Sequence, residues 1–177
     1  AIEIVSMVLY AQSMYPGYNL NSNYISDLGV GATSVIFNPA MIAFGILLVV
    51  AACFILTEGK HRFVALGFLI SGVAGMGVGS FPETSGMPHI VFADLVFGTI
   101  AIMAVCFYFL LKGKLRIYSL IAGIFALLIV ISFALILSAG LTIIPGLGHG
   151  TIEELLFYDE LIWAFVIGIC FMTKRVK

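Results

Sequence analysis

Every Lys and Arg of the chain, eight residues in all, falls at one of three breaks between long apolar runs. Lys60 and Arg62 follow one run, Lys112, Lys114 and Arg116 follow another, and Lys174, Arg175 and Lys177 close the sequence. The other breaks hold no basic residue and gather carboxylates and two histidines. Basic residues concentrate on the cytoplasmic side of membrane proteins, so the alternation predicts a polytopic helical protein with one basic, cytoplasmic face. The composition agrees, at 62% hydrophobic and 10% charged. A soluble domain carries about 25% charged residues, and this much apolar surface needs lipid around it. Proximity to the membrane accounts for all eight cations, which excludes nucleic acid as a partner.

Hydropathy places spans at 34–57, 63–80, 89–111, 117–138 and 152–172, with a shorter run at 2–14. That first run falls below the ~20 residues a membrane crossing needs, so its helix is expected to be incomplete at its N-terminal end. A cleavable signal peptide is not expected, because no positive leader region or small-residue cleavage site is visible. Short basic turns at 58–62 and 112–116 force neighbouring helices to run antiparallel. The fold expected is all-α: a polytopic integral membrane six-helix bundle, up-and-down, both termini cytoplasmic, forming a single transmembrane domain over 1–177. Ser71, Gly75 and Gly79 repeat every four residues, so a neighbouring backbone can approach there, within the chain or across a homodimer. Pro39 fits the first turn of its helix, where no amide bond is lost. Cys53, Cys106 and Cys170 show no metal-ligand spacing and cannot complete a disulfide framework. The partners expected are membrane lipids and, through the small-residue face, a second copy.

The first non-basic connection, 15–33, is rich in Tyr, Asn and Gly and reads as a structured loop. Asn23, Ser26 and Asp27 suit helix capping; alternatively, Ser26 and Asp27 fold inward and line a pocket. Pro16-Gly17-Tyr18, then Ile25-Ser26-Asp27-Leu28-Gly29, then Phe37-Asn38, with Phe81-Pro82-Glu83 and His89 further on, resemble a prokaryotic six-helix membrane family. That family is the one numbered 998 among domains of unknown function. The resemblance covers nearly the whole chain and implies six spans, a polar outer site and a prokaryotic cell membrane. It brings no activity, substrate or cofactor.

Of nine carboxylates, only Glu3 and Glu58 belong to the basic side. Asp27, Glu83, Asp94, Glu153, Glu154, Asp159 and Glu160 lie on or near the other. Ionisable groups sunk in a bilayer cost several kcal/mol unless paired, hydrated or neutralised, and no Lys or Arg is close in sequence to these. His149, Glu153 and Glu160, at offsets of four and seven, share a helical stripe that Asp94 could face. The plainest account makes Glu153 and Glu154 first-turn residues favoured by the helix dipole, and His149 a loop residue. It leaves Asp94, Asp159 and Glu160 unexplained. The leading functional expectation is an outward acidic and His-bearing pocket for a cation or polar lipid head group, proton- or ion-coupled. Its lining candidates are Ser26, Asp27, Asn38, Glu83, Asp94, Glu153, Asp159 and Glu160. A second reading is a metal-dependent intramembrane hydrolase, with a divalent metal on His89 and His149 and a carboxylate as general base. A third is a b-type haem protein with those histidines as axial ligands, set against by the carboxylates that would meet the propionates.

Overall fold

The computed structural model describes residues 1–59, 61–139 and 146–173. Lys60, the terminal Lys174, Arg175 and Lys177, and most of the third non-basic connection lie outside them. The described chain is helical: α1 (Ile2–Met14), α2 (Ser34–Thr57), α3 (Arg62–Ser80), α4 (Met87–Leu110), α5 (Lys114–Ala139) and α6 (His149–Met172). Short 3-10 turns at Ser26–Gly29, Gly31–Thr33 and Glu83–Ser85 order the first two connections of the acidic face. Five of the helices are long and apolar enough to cross a membrane. At 1.5 Å per residue, the 13-residue α1 is about 20 Å long, against about 30 Å of hydrocarbon.

Consecutive helices pack as antiparallel neighbours, most extensively α2 with α3, α4 with α5, and α3 with α4. Glycine sets the closeness. A Cβ added at Gly72 would lie 2.7 Å from the Gly45 carbonyl oxygen, and one at Gly45 would lie 2.7 Å from the Met76 nitrogen. Gly75 and Gly79 also face α2, so the small-residue stripe of α3 is used inside the chain. Gly123 brings α5 onto Val105 of α4 in the same way, flanked by buried Ala122 and Ala126. In lipid, where apolar side chains gain little by leaving solvent, such close backbone approach is a main source of helix association.

Helix α6 sits differently. It packs more sparsely on α5 and α4 and carries the largest fully buried side chain, Trp163. The indole Nε1 donates to Ser119 Oγ of α5 at 2.7 Å, and that hydroxyl donates to the Ala104 carbonyl of α4 at 2.7 Å. Phe107 meets the indole edge-on at 5.3 Å. Trp163 is thus a core residue of the bundle rather than part of an interfacial belt.

Helix α2 begins at Ser34, as hydropathy indicated, so Pro39 is its sixth residue and lies inside the helix rather than in its first turn. Helix α6 starts at His149, about one turn earlier than hydropathy indicated, because His149, Gly150 and Thr151 are helical as well. Glu160 therefore lies eleven residues in, about 16 Å along the axis and near the middle of α6.

Candidate functional site

On the acidic face, the first connection folds back over the N-terminus of α6. The Gly148 amide donates to Asn21 Oδ1 at 2.6 Å, and Thr151 Oγ1 to the same oxygen at 3.0 Å. These bonds satisfy donors that a helix start leaves open. Gly150 permits the approach, since a Cβ there would stand 2.6 Å from the Leu20 carbonyl oxygen. His149 Nε2 bonds the Ser22 carbonyl at 2.6 Å, and its ring lies 4.3 Å from that of Tyr24. A carbonyl only accepts, so this nitrogen carries the proton.

Glu153 and Glu154 fall in the second turn of α6, past the first turn expected for them, and both are engaged as well. Glu153 Oε2 accepts the Ile25 amide at 2.5 Å and the carboxylate also accepts that of Ser26, holding the start of the 3-10 turn Ser26–Gly29. Glu154 Oε1 accepts Gln12 Nε2 at 2.5 Å and the Tyr18 hydroxyl at 3.1 Å, with Tyr158 as a further donor. Burial, and next to it the Glu154 charge, raise the Tyr18 phenol above its ordinary range, which keeps it a donor. Gln12 and Tyr158 are neighbours of Glu154 that the sequence reading did not single out, and Tyr18 entered it only within the Pro16-Gly17-Tyr18 stretch.

The Ser26-Asp27-Leu28-Gly29 stretch divides its work residue by residue. Ser26 faces inward, and Leu28 is fully buried in the core. Asp27 Oδ2 accepts the Tyr24 amide at 3.1 Å and Asn23 Nδ2 at 2.8 Å, so Asp27 fastens its own turn. Gly29 leaves room for Asn38, whose Nδ2 donates to the Gly29 carbonyl at 3.1 Å. Asn38 Oδ1 is buried without a partner.

Between α4, α5, α6 and the first two connections lies a cavity of about 250 Å³. Its polar lining is Tyr24, Ser26, Glu83, His89, Asp94 and Glu153. Ile90, Phe97, Val130, Phe133 and Leu156 supply apolar walls. Glu83 is joined to Asp27 by a side-chain hydrogen bond, and burial together with that neighbouring carboxylate pushes its pKa up to about 7. Asp94 is exposed at the open rim, seven residues into α4 and so about 10 Å along it. His89 is 94% buried, and its Nδ1 donates to the Phe81 carbonyl at 2.8 Å. In the neutral ring, Nε2 is then a hydrogen-bond acceptor.

Below this cavity a smaller one of about 40 Å³ shares Ser26, His89, Phe97 and Glu153 with it. Glu160 projects into the smaller chamber, 4% exposed, and its Oε1 has no hydrogen-bond partner. Apart from those residues the chamber is walled by apolar side chains such as Phe37, Phe44, Val96 and Phe157.

Of the sequence-derived candidates, Ser26, Glu83, His89, Asp94 and Glu153 line one cavity and Glu160 the chamber beneath it. Asp27 stands behind Glu83, while Asn38 and Asp159 belong to neither lining. The stripe expected for α6 holds for Glu153 and Glu160, but His149 turns to the loop instead. His149 lines neither of these two spaces, and among the described residues no three His, Cys, Asp or Glu side chains converge in metal-binding geometry.

No curated protein and no solved structure matches the chain. A family model described as "Protein of unknown function (DUF998)" matches residues 1–170. With five membrane-length helices, ordered acidic-face connections and a match over nearly its full length, the chain is a membrane protein that belongs to the DUF998 family.

Proposed function

We propose that this protein binds a cation in the cavity beneath its acidic face, which is turned outward because the basic turns face the cytoplasm. The observation that carries the reading is the lining: Glu83, Asp94 and Glu153 share one cavity in which His89 is the only basic side chain. His89 is oriented as an acceptor, so it adds to the affinity for a donor cation instead of opposing it. Carboxylates without fixed cationic partners at membrane depth call for a mobile one. A polar lipid head group bearing a phosphate fits less well, since the lining offers no Lys or Arg to receive it. The hydrolase and haem readings find no such support in the arrangement of His89 and His149.

The test is a titration of purified protein with sodium, magnesium and tetramethylammonium, followed by thermal unfolding. At least one cation is expected to raise the transition saturably. Asp94→Asn combined with Glu83→Gln is expected to weaken that response at least tenfold. Identical titrations for the wild type and the double variant would remove the reading.

A further inference from the structure

Resting on that reading, we infer that the ligand is an alkylammonium: a protonated amine on an apolar stem, without an adjacent phosphate. Three observations lead away from an inorganic ion. The cavity of about 250 Å³ is many times the size of a bare cation. Its carboxylates do not converge as metal ligands do, for no group of three His, Cys, Asp or Glu with that geometry occurs among the described residues. Hard divalent cations require six or more oxygens at close range.

The same cavity is apolar along one side, where Phe97, Val130, Phe133 and Leu156 would contact methylene groups. The Tyr24 and Phe133 rings, with centroids 6.2 Å apart, add aromatic surface that attracts an ammonium group. Ser26, His89 and Glu153, where the two chambers meet, provide acceptors for the ammonium hydrogens. Glu160, nine-tenths buried with an oxygen lacking any partner, adds a free hydrogen-bond acceptor beneath that point.

The opening supplies the last element. Asp94 is exposed at the rim, about 10 Å along α4 from its acidic-face end, so the cavity opens at hydrocarbon depth. An exposed carboxylate there is costly in lipid unless a cation or water attends it. An amphiphile entering from the bilayer satisfies both requirements, with its ammonium passing Asp94 and its stem remaining among apolar groups. An ammonium on a phospholipid would carry its phosphate into the same ring of carboxylates.

The experiment measures thermal unfolding of the protein in phosphatidylglycerol nanodiscs against ethyl-, butyl- and hexylammonium, with the matching alcohols, magnesium and sodium as controls. Each added methylene is expected to tighten binding about two- to fourfold, given the transfer free energy of a buried methylene. The alcohols are expected to bind at least tenfold more weakly, and Asp94→Asn to erase the advantage of the amine. Phe133→Ala, which leaves the carboxylates in place, is expected to flatten the chain-length series. Magnesium or sodium matching the amines would overturn the inference and leave cation binding standing. No response to any cation would overturn both. Equal binding of alcohols would reduce the cavity to an apolar pocket and also overturn both. Stabilisation by nanodiscs containing phosphatidylethanolamine, with none from free amines, would overturn the exclusion of phosphate.

Discussion

Helices α2 and α3 meet through glycine backbones, whereas the start of α6 is held by hydrogen bonds to the first connection, over 120 positions away in the chain. The first arrangement excludes solvent and leaves no room for a methyl group. The second surrounds a cavity, places carboxylates beside it and spends polar groups on its attachment. In a medium that contributes little hydrophobic drive between helices, close packing and hydrogen bonding are the two principal means of joining them. The α2–α3 seam uses the one that fixes shape. The α6 attachment uses the one that leaves polar groups near a space where a ligand could meet them.

Substitutions should separate the two. The largest effect is expected for Gly72→Val, whose added atoms meet the Gly45 carbonyl with no flexible side chain to yield. A loss of about 3 kcal/mol, read as a lowered unfolding midpoint in denaturant, is the outcome that overpacking of this kind produces. A stably folded Gly72→Val would break the contrast. Next comes Gln12→Leu, which removes a donor from the buried Glu154 carboxylate. An under-satisfied buried acceptor costs about 1–3 kcal/mol. Limited proteolysis should show connection 15–33 loosening while the α2–α3 hairpin stays protected. Trp163→Phe keeps the aromatic packing but removes the bond to Ser119, and a stability loss of about 1 kcal/mol is expected.

The smallest effect is on pH dependence. Glu83 binds its proton more tightly in the fold than as a free side chain, its pKa standing near 7 instead of 4.5. Its stabilising contribution is therefore complete below pH 4.5 and is lost as pH rises through 7, where Glu83 loses its proton in a half-buried site beside Asp27. Unfolding temperatures measured between pH 5 and 8 should fall across that window. Glu83→Gln should flatten the trend.

Much of this architecture is legible along the sequence. Apolar runs locate the helices because lipid demands them, and the basic turns distinguish the two faces. The Ser71, Gly75 and Gly79 stripe points to close packing, although Gly72, one residue off that register, makes the tighter contact with α2. The carboxylates are visible as a group, but not their division of labour. Glu154 needs Gln12, and Glu153 needs the Ile25 amide, and no local pattern links residues so distant in sequence. Hydropathy also sets the start of α6 too late, since His149, Gly150 and Thr151 carry no apolar signal and resemble a loop. Pro39 falls past the first turn because it is the sixth residue of a helix that starts at Ser34.

The bond from Ile25 to Glu153 spans 128 positions in the chain. Translation delivers the first of these residues long before the second. A nascent chain halted after α5 could already hold both glycine-packed hairpins, yet the recess beneath its acidic side would lack one wall. A closed recess would thus arrive only once α6 has been made, well after both hairpins.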